Sequence, residues 1–191
     1  MADAKFTREQ LESYRDATVA DLLAPDLKLL FVGINPGLWT AAVQAHFARR
    51  GNRFYPALYR SGLTDRLIDA SSGYRPEDLQ HLLERGLGVS NMAHRATARA
   101  DELAPEELLE GARRLDELVA RERPKVVAFL GITAYRTAFA KPKAKAGRQE
   151  GNLRGAEVWV LPNPSGLNAS VQLPELAEKF REVAIAAGIT I

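Results

Sequence analysis

Two apolar runs that each end in an asparagine–proline loop constrain this chain more than any other feature. Leu27 to Val32 leads into Gly33-Ile34-Asn35-Pro36-Gly37, and Val158 to Leu161 leads into Asn163-Pro164-Ser165-Gly166-Leu167-Asn168. Both runs read as strands. In open α/β sheets the loops leaving the carboxyl ends of strands build the ligand site, so two such loops predict two walls of one pocket. Glycine lets backbone approach a ligand closely, and proline stiffens the turn around it.

The rest of the chain fits the same scheme. Val126 to Leu130 reads as a buried parallel strand, and Leu87 to Ser90 as a short strand after Gly86. A helix from Thr7 to Arg15 is expected, with Thr7 and Gln10 spaced as a capping box. Asn52 caps a second helix running to about Arg60 and closed by Ser61-Gly62. Further helices are expected over Pro76 to Glu84, Gly131 to about Ala140, and Pro174 to Ala187. The clearest amphipathic helix runs from Pro105 to Arg121, with Leu108, Leu109, Ala112, Leu115, Leu118 and Val119 on one side. The stretch before Val158 reads as a basic turn. Strands alternating with helices predict an α/β fold, a three-layer α/β/α sandwich with a mainly parallel central sheet.

Composition narrows the function classes. At 191 residues, 46% hydrophobic and 26% charged, one soluble domain is expected. The absence of cysteine excludes disulfides, thiolate metal sites and iron–sulfur clusters, and it suits a reducing cytoplasm. No apolar run approaches membrane-spanning length, and the N-terminus lacks a signal-peptide core, so a cytoplasmic protein without membrane partners is expected. His46, His81 and His94 lack close metal-ligand spacing, and no metal or cofactor is expected. Neither loop fits a dinucleotide fingerprint or a phosphate-binding P-loop. The net charge of +2 says little about nucleic acid, but its distribution says more. Arg49, Arg50 and Arg53 crowd the segment after the first loop, and Lys141, Lys143, Lys145, Arg148 and Arg154 populate the basic stretch. Such residues track phosphates and release counterions.

Taken together, the two loops resemble those of the mismatch-specific uracil/thymine DNA glycosylases, a branch of the uracil-DNA glycosylase superfamily. Asp21-Leu22-Leu23-Ala24-Pro25-Asp26-Leu27, Asn52-Arg53-Phe54-Tyr55, Gly86 to Asn91, and Val158-Trp159-Val160-Leu161-Pro162 extend the likeness, in order, from roughly residue 20 to 187. Residues 1–19 fall outside it and are expected to form an extension with a short helix, with residues 20–191 as a single glycosylase domain. The resemblance implies a monomeric, monofunctional enzyme of base excision repair. Its substrate would be duplex DNA holding uracil, and in some cases thymine or alkylated cytosine, opposite guanine. No lysine matches a Schiff-base nucleophile of the family pattern.

The same resemblance assigns roles. Asn35 is the water-holding residue, where many relatives elsewhere in the superfamily carry aspartate. Asn163 stands where a histidine precedes Pro-Ser in the uracil-only branch. Phe47 matches the aromatic on which the flipped base stacks, and Thr40 a small hydroxyl residue near the pyrimidine. Leu167 is placed as the wedge that fills the vacated stack, with Ser165, Gly166 and Asn168 beside it for strand or orphan-guanine contacts. Ala169 stands where the family often has an arginine.

The chemistry of the residues agrees with these roles. An asparagine amide cannot accept a proton as a carboxylate does, so Asn35 acts by orienting water through its carbonyl oxygen. Much of the acceleration then rests on positioning and electrostatics. The Asn163 amide donates to the developing base anion as a neutral group, and backbone N–H groups around Ile34 and Gly37 are further donors. A base inside a duplex must be flipped out, at a cost of a few kcal/mol. Asn91, with a donor and an acceptor, is a candidate reader of the uracil edge. In that case a broad uracil glycosylase acting also on U·A pairs and single strands competes with the mismatch-specific reading. A low-turnover protein that binds mismatches or abasic sites is the third. His46 is a candidate for the pocket edge, His94 for a phosphate, and His81 for a surface role. Trp39 either packs beneath the first loop or narrows the pocket.

Overall fold

The computed structural model describes residues 5–168 and 170–191. In chain order its elements are α1 (Arg8–Glu12), β1 (Leu29–Gly33), α2 (Leu38–Val43), α3 (Phe54–Ser61), α4 (Pro76–Glu84), β2 (Leu87–Asn91), α5 (Pro105–Glu122), β3 (Val126–Leu130), α6 (Ile132–Ala138), β4 (Gly147–Leu153), β5 (Ala156–Leu161) and α7 (Leu173–Ala186). A single 3-10 turn, Ala100–Glu102, precedes α5.

β1, β2 and β3 are buried at every position, as strands covered on both faces must be. Successive side chains of a strand point to opposite faces. β1 therefore sends Leu29 and Phe31 into one core layer and Leu30 and Val32 into the other. The first layer is closed by Phe54 and Leu58 of α3 and by Leu176, Phe180 and Val183 of α7. Leu108, Leu115 and Leu118 of α5 and Tyr135 of α6 close the second. The three-layer α/β/α arrangement is the one the alternation of elements predicts.

The sheet order is β2-β1-β3-β5-β4. β1 pairs in parallel with β2 and β3, and β3 pairs in parallel with β5; β4 alone is antiparallel, on β5. Because the chain moves from β1 to one side and then returns to the other, the crevice beside β1 is a topological switch point, where ligands bind in such sheets. All four parallel strands end at that edge.

Two elements are absent from the sequence reading, and a third is shorter than expected. The basic stretch is not only a turn, because its second half forms β4 along the open edge of β5, with an irregular register between Arg148 and Asn152. Directly after the first loop, the six residues of α2 form a helix too short to show a period in the sequence. α1 is shorter than expected, yet its capping box is present: Gln10 N–H donates to Thr7 Oγ1 at 3.1 Å, and Thr7 N–H to Gln10 Oε1 at 2.8 Å. Residues 5–19 lie against the edge that carries the cleft. Val19 packs with Leu38, Ala41 and Ala96, and Phe6 meets Trp39 edge-on at 5.0 Å. Among the described residues no helix is long and apolar enough to cross a membrane.

Candidate active site

The carboxyl ends of the four parallel strands open into a cleft of about 410 Å³. The first loop forms one wall through Gly33, Ile34, Asn35, Pro36 and Gly37, with Thr40 behind it. Asn163, Ser165 and Leu167 of the second loop stand across from it, and His46, Phe47 and Asn91 also line the cleft. Gly166 and Asn168 belong to the second loop but do not line it.

Asn35 is held by its amide nitrogen. Nδ2 donates to Arg95 O at 3.0 Å and to Thr97 Oγ1 at 2.7 Å. Thr97 Oγ1 in turn donates its own hydrogen to Arg99 O at 2.7 Å, so towards Asn35 it can only accept. Both N–H bonds of the amide are thereby engaged, and Oδ1 is left for a partner in the cleft. The segment supplying these groups is fastened to the first loop, as Thr97 N–H donates to Pro36 O and Ala93 N–H to Ile34 O.

Asn163 is held the other way round. Its Oδ1 accepts from Ser165 N–H at 2.9 Å, a local Asx turn that leaves Nδ2 as the end available to the cleft. Asn168 Nδ2 returns to Asn163 O at 3.0 Å, closing the loop on itself. Arg53 grips it from below. Its guanidinium donates to Ser165 O at 2.9 Å, to Asn168 O at 2.7 Å and to Val171 O. Its backbone N–H donates to Pro164 O at 2.9 Å. Arg53 is thus spent on the loop and does not join a phosphate-tracking cluster, a correction to the sequence reading. Leu167 at the loop tip is 85% exposed, so it is not a core residue. Gly166 packs so closely on the Gly51 backbone that a Cβ there would lie 2.6 Å from Gly51 O. Ala169 lies outside the described residues.

The floor is built at Gly33, whose register partner across β1 and β2 is Asn91. A Cβ at Gly33 would lie 2.5 Å from Asn91 Oδ1 and 3.1 Å from Phe47 Cζ, so the absent side chain makes the space these two groups occupy. Phe47 stacks on Phe54 with ring centroids 4.2 Å apart and planes at 25°. Its backbone sits at φ 54°, an outlier for an aromatic residue. Residues in such conformations persist when their surroundings over-determine them, and they gather at functional sites. Asn91 is buried, and its backbone carbonyl accepts from Arg114.

His46 is buried beside Asn91, and burial pushes its pKa below the ordinary value, which keeps the ring neutral. Trp39 points away from the cleft, donating Nε1–H to Ser71 O at 2.9 Å, so it packs beneath the loop. His94 lies 3.8 Å from Asp21, and desolvation lowers its pKa, which disfavours a cationic phosphate ligand. His81 is half-buried near Asp65. Among the basic residues, Arg154 pairs with Asp116 and Arg148 with Glu157, so neither is an unpaired phosphate contact. Arg49 is exposed at the cleft. Thr97, Arg95 and Arg114, which hold the site's asparagines, carry no sequence signal, and Arg53 stood out only as part of a basic cluster, because their partners are backbone carbonyls and side chains brought near only by the fold.

Chemically, the cleft offers an amide acceptor from Asn35, an amide donor from Asn163, a buried amide at Asn91 and an aromatic ring. Among the described residues no group of three or more His, Cys, Asp or Glu is placed to hold a metal ion.

A family model described as the uracil DNA glycosylase superfamily matches residues 20–186. The chain is also similar to the solution NMR structure of a candidate uracil DNA glycosylase from Methanosarcina acetivorans. The TM-score is 0.59 at 19% identity, over 88% of this chain and 98% of that one. At that identity the likeness is one of fold.

Proposed function

This chain belongs to the uracil DNA glycosylase superfamily, and from that membership we propose that it excises uracil mispaired with guanine by base flipping and water attack. Water adds to C1′ of the deoxyribose and gives up a proton while the bond from C1′ to N1 of the base breaks, and the base departs with the electron pair as an anion that takes up a proton through solvent. The product is an abasic site. Asn35 Oδ1 orients the water and Asn163 Nδ2–H faces the charge growing on the base. Phe47 stacks on the flipped ring, Thr40 lies near it, and Asn91 meets its edge. Ile34 and Gly37 line the approach. Leu167 enters the vacated stack, flanked by Ser165, Gly166 and Asn168. Neutral amides replace a carboxylate and an imidazole, and this economy of charge favours substrates that are already destabilised in the duplex, such as G·U mispairs.

The observation that carries this reading is the opposed anchoring of the two amides. Asn35 is tied by its nitrogen and Asn163 by its oxygen, which leaves an acceptor on one wall and a donor on the other. Thymine and alkylated cytosine opposite guanine are the further substrates to examine. The buried Asn91 amide favours a second reading, a broad uracil glycosylase that also accepts U·A pairs and single strands.

Single-turnover cleavage of end-labelled oligonucleotides holding U·G, T·G, U·A or single-stranded uracil tests both, with alkali to reveal abasic sites. Excision of U·G well above U·A, lost in Asn35→Ala, supports the mismatch-specific enzyme. Equal excision from every uracil context supports the broad one. Tight mismatch binding with no excision of any base overturns both in favour of a binding protein.

A further inference from the structure

His46 lies between the N-terminal segment and the floor of the cleft, and both of its ring nitrogens are in use. Nε2 is 2.9 Å from Ala20 O, and Nδ1 is 3.3 Å from Asn91 Nδ2. A carbonyl oxygen can only accept, so Nε2 must carry the proton. A neutral imidazole has one N–H, so Nδ1 is bare and can only accept in turn. The group that Asn91 turns to His46 must then be its NH2, which places Oδ1 at the Gly33 and Phe47 side, where the structure has it. The logic runs one way: a backbone carbonyl sets the tautomer, and the tautomer sets the amide.

The backbone that carries the ring is itself held on both sides. Tyr55 donates its hydroxyl to His46 O at 2.7 Å, and His46 N–H donates to Tyr74 Oη at 3.2 Å. Burial pushes both phenols to higher pKa, so neither is ionised near neutrality. The other titratable groups facing His46 are Asp21 and His94. The Asp21 charge favours the imidazolium, but desolvation is the largest influence and keeps the ring neutral.

We propose that His46 is a positioning residue that fixes the hydrogen-bonding polarity of Asn91, presenting an acceptor to the N3–H of a uracil-type base and excluding cytosine, whose N3 is itself an acceptor. The assignment rests on the proposed excision of uracil for its consequence, although not for its geometry. Sites built to hydrogen-bond a substrate group discriminate strongly because a mismatched partner leaves buried polar atoms unpaired.

Two measurements test it. Imidazole 15N spectra of the intact protein at neutral pH report the tautomer without any substrate. A bare Nδ1 and protonated Nε2 on His46, with one slowly exchanging Asn91 amide proton, are expected. An Nδ1–H tautomer or an imidazolium overturns the proposal whatever the enzyme cleaves. The second measurement compares single-turnover excision of uracil and cytosine, each opposite guanine, by the wild type, His46→Asn and His46→Leu. His46→Leu, which leaves the Asn91 amide free to turn, is expected to lose about ten- to a hundredfold in the uracil-to-cytosine ratio, the order of one buried hydrogen bond. His46→Asn, which keeps an acceptor near the Nδ1 position, is expected to recover most of that ratio. Equal loss of ratio in both variants, or none in either, overturns the proposal. Should wild type excise no base at all, the reading of function fails and the spectra alone decide the role of His46.

Discussion

Gly33→Ala is the most informative single perturbation of the cleft. The glycine is not in a left-handed conformation, so alanine meets no backbone penalty there, and all of the effect comes from one methyl group. That methyl would arrive 2.5 Å from Asn91 Oδ1 and 3.1 Å from Phe47 Cζ. Phe47 cannot retreat easily, because its ring is stacked on Phe54 at 4.2 Å. The amide must therefore yield by about 0.9 Å to restore an ordinary contact of 3.4 Å. A displacement of that size breaks the 3.3 Å bond from Asn91 Nδ2 to His46. Overpacking of this kind costs about 1–3 kcal/mol. In a chain of this length that lowers Tm by roughly 2–12 °C.

The loss in activity comes from the same atom. A displaced Asn91 leaves a base-edge group unpaired, about 1–3 kcal/mol, or roughly 5- to 150-fold in single-turnover excision of uracil opposite guanine. The decisive assay is a double-mutant cycle with Asn91→Ala. If the methyl acts through Asn91, Gly33→Ala in the Asn91→Ala background costs almost nothing more. Excision by Gly33→Ala within twofold of wild type, or losses that simply multiply in the double variant, would refute the reasoning.

Three further outcomes are expected. Leu167→Ala removes an exposed side chain and should change stability by no more than about 0.5 kcal/mol, measured by urea unfolding. Its excision from duplex DNA should fall, while excision from single-stranded substrate is spared. Arg53→Ala strips donors from the carbonyls of Ser165, Asn168 and Val171, so it should weaken duplex excision and quicken hydrogen exchange at Asn168, with a stability loss of about 1–3 kcal/mol by urea unfolding. The pH dependence of stability below neutrality follows from His94, whose pKa is also lowered, and from the more deeply buried His46. Each folded pKa is depressed, so each contribution is present above the ordinary value of 6.5 and is lost as pH falls from there through the folded value. Tm should decline over that window, and less steeply in His46→Asn.

The architecture was largely legible because it rests on local patterns. β3 and α4 occur at their expected limits, and the apolar runs before the two loops became parallel strands. What escaped had its cause elsewhere in the fold. β4 is polar and mostly exposed, and it is a strand because β5 offers an unpaired edge. In the site, the two asparagines of the loops stood out because an Asn-Pro pair after a strand is a local signal. Thr97 did not, since a threonine orienting an amide 62 residues earlier leaves no periodicity to read, and Arg53 stood out for its charge and not for the loop it holds. The charge clusters misled in part, because counting arginines says nothing of which carboxylates or carbonyls they meet.

Residues 16–22 have a consequence for anyone joining this protein to another. Asp16 N–H donates to Ala96 O, Ala96 N–H to Ala17 O, and Thr18 bridges to Arg95, the residue whose carbonyl secures Asn35. Four positions later Leu22 bridges to Val89 of β2, while the Ala20 carbonyl faces His46. Seven consecutive residues ahead of the first strand therefore act as a guy rope for both ends of the cleft. A fusion partner seated close upstream, or a protease nick within that stretch, would slacken the two anchor points at once without touching any residue that lines the cleft.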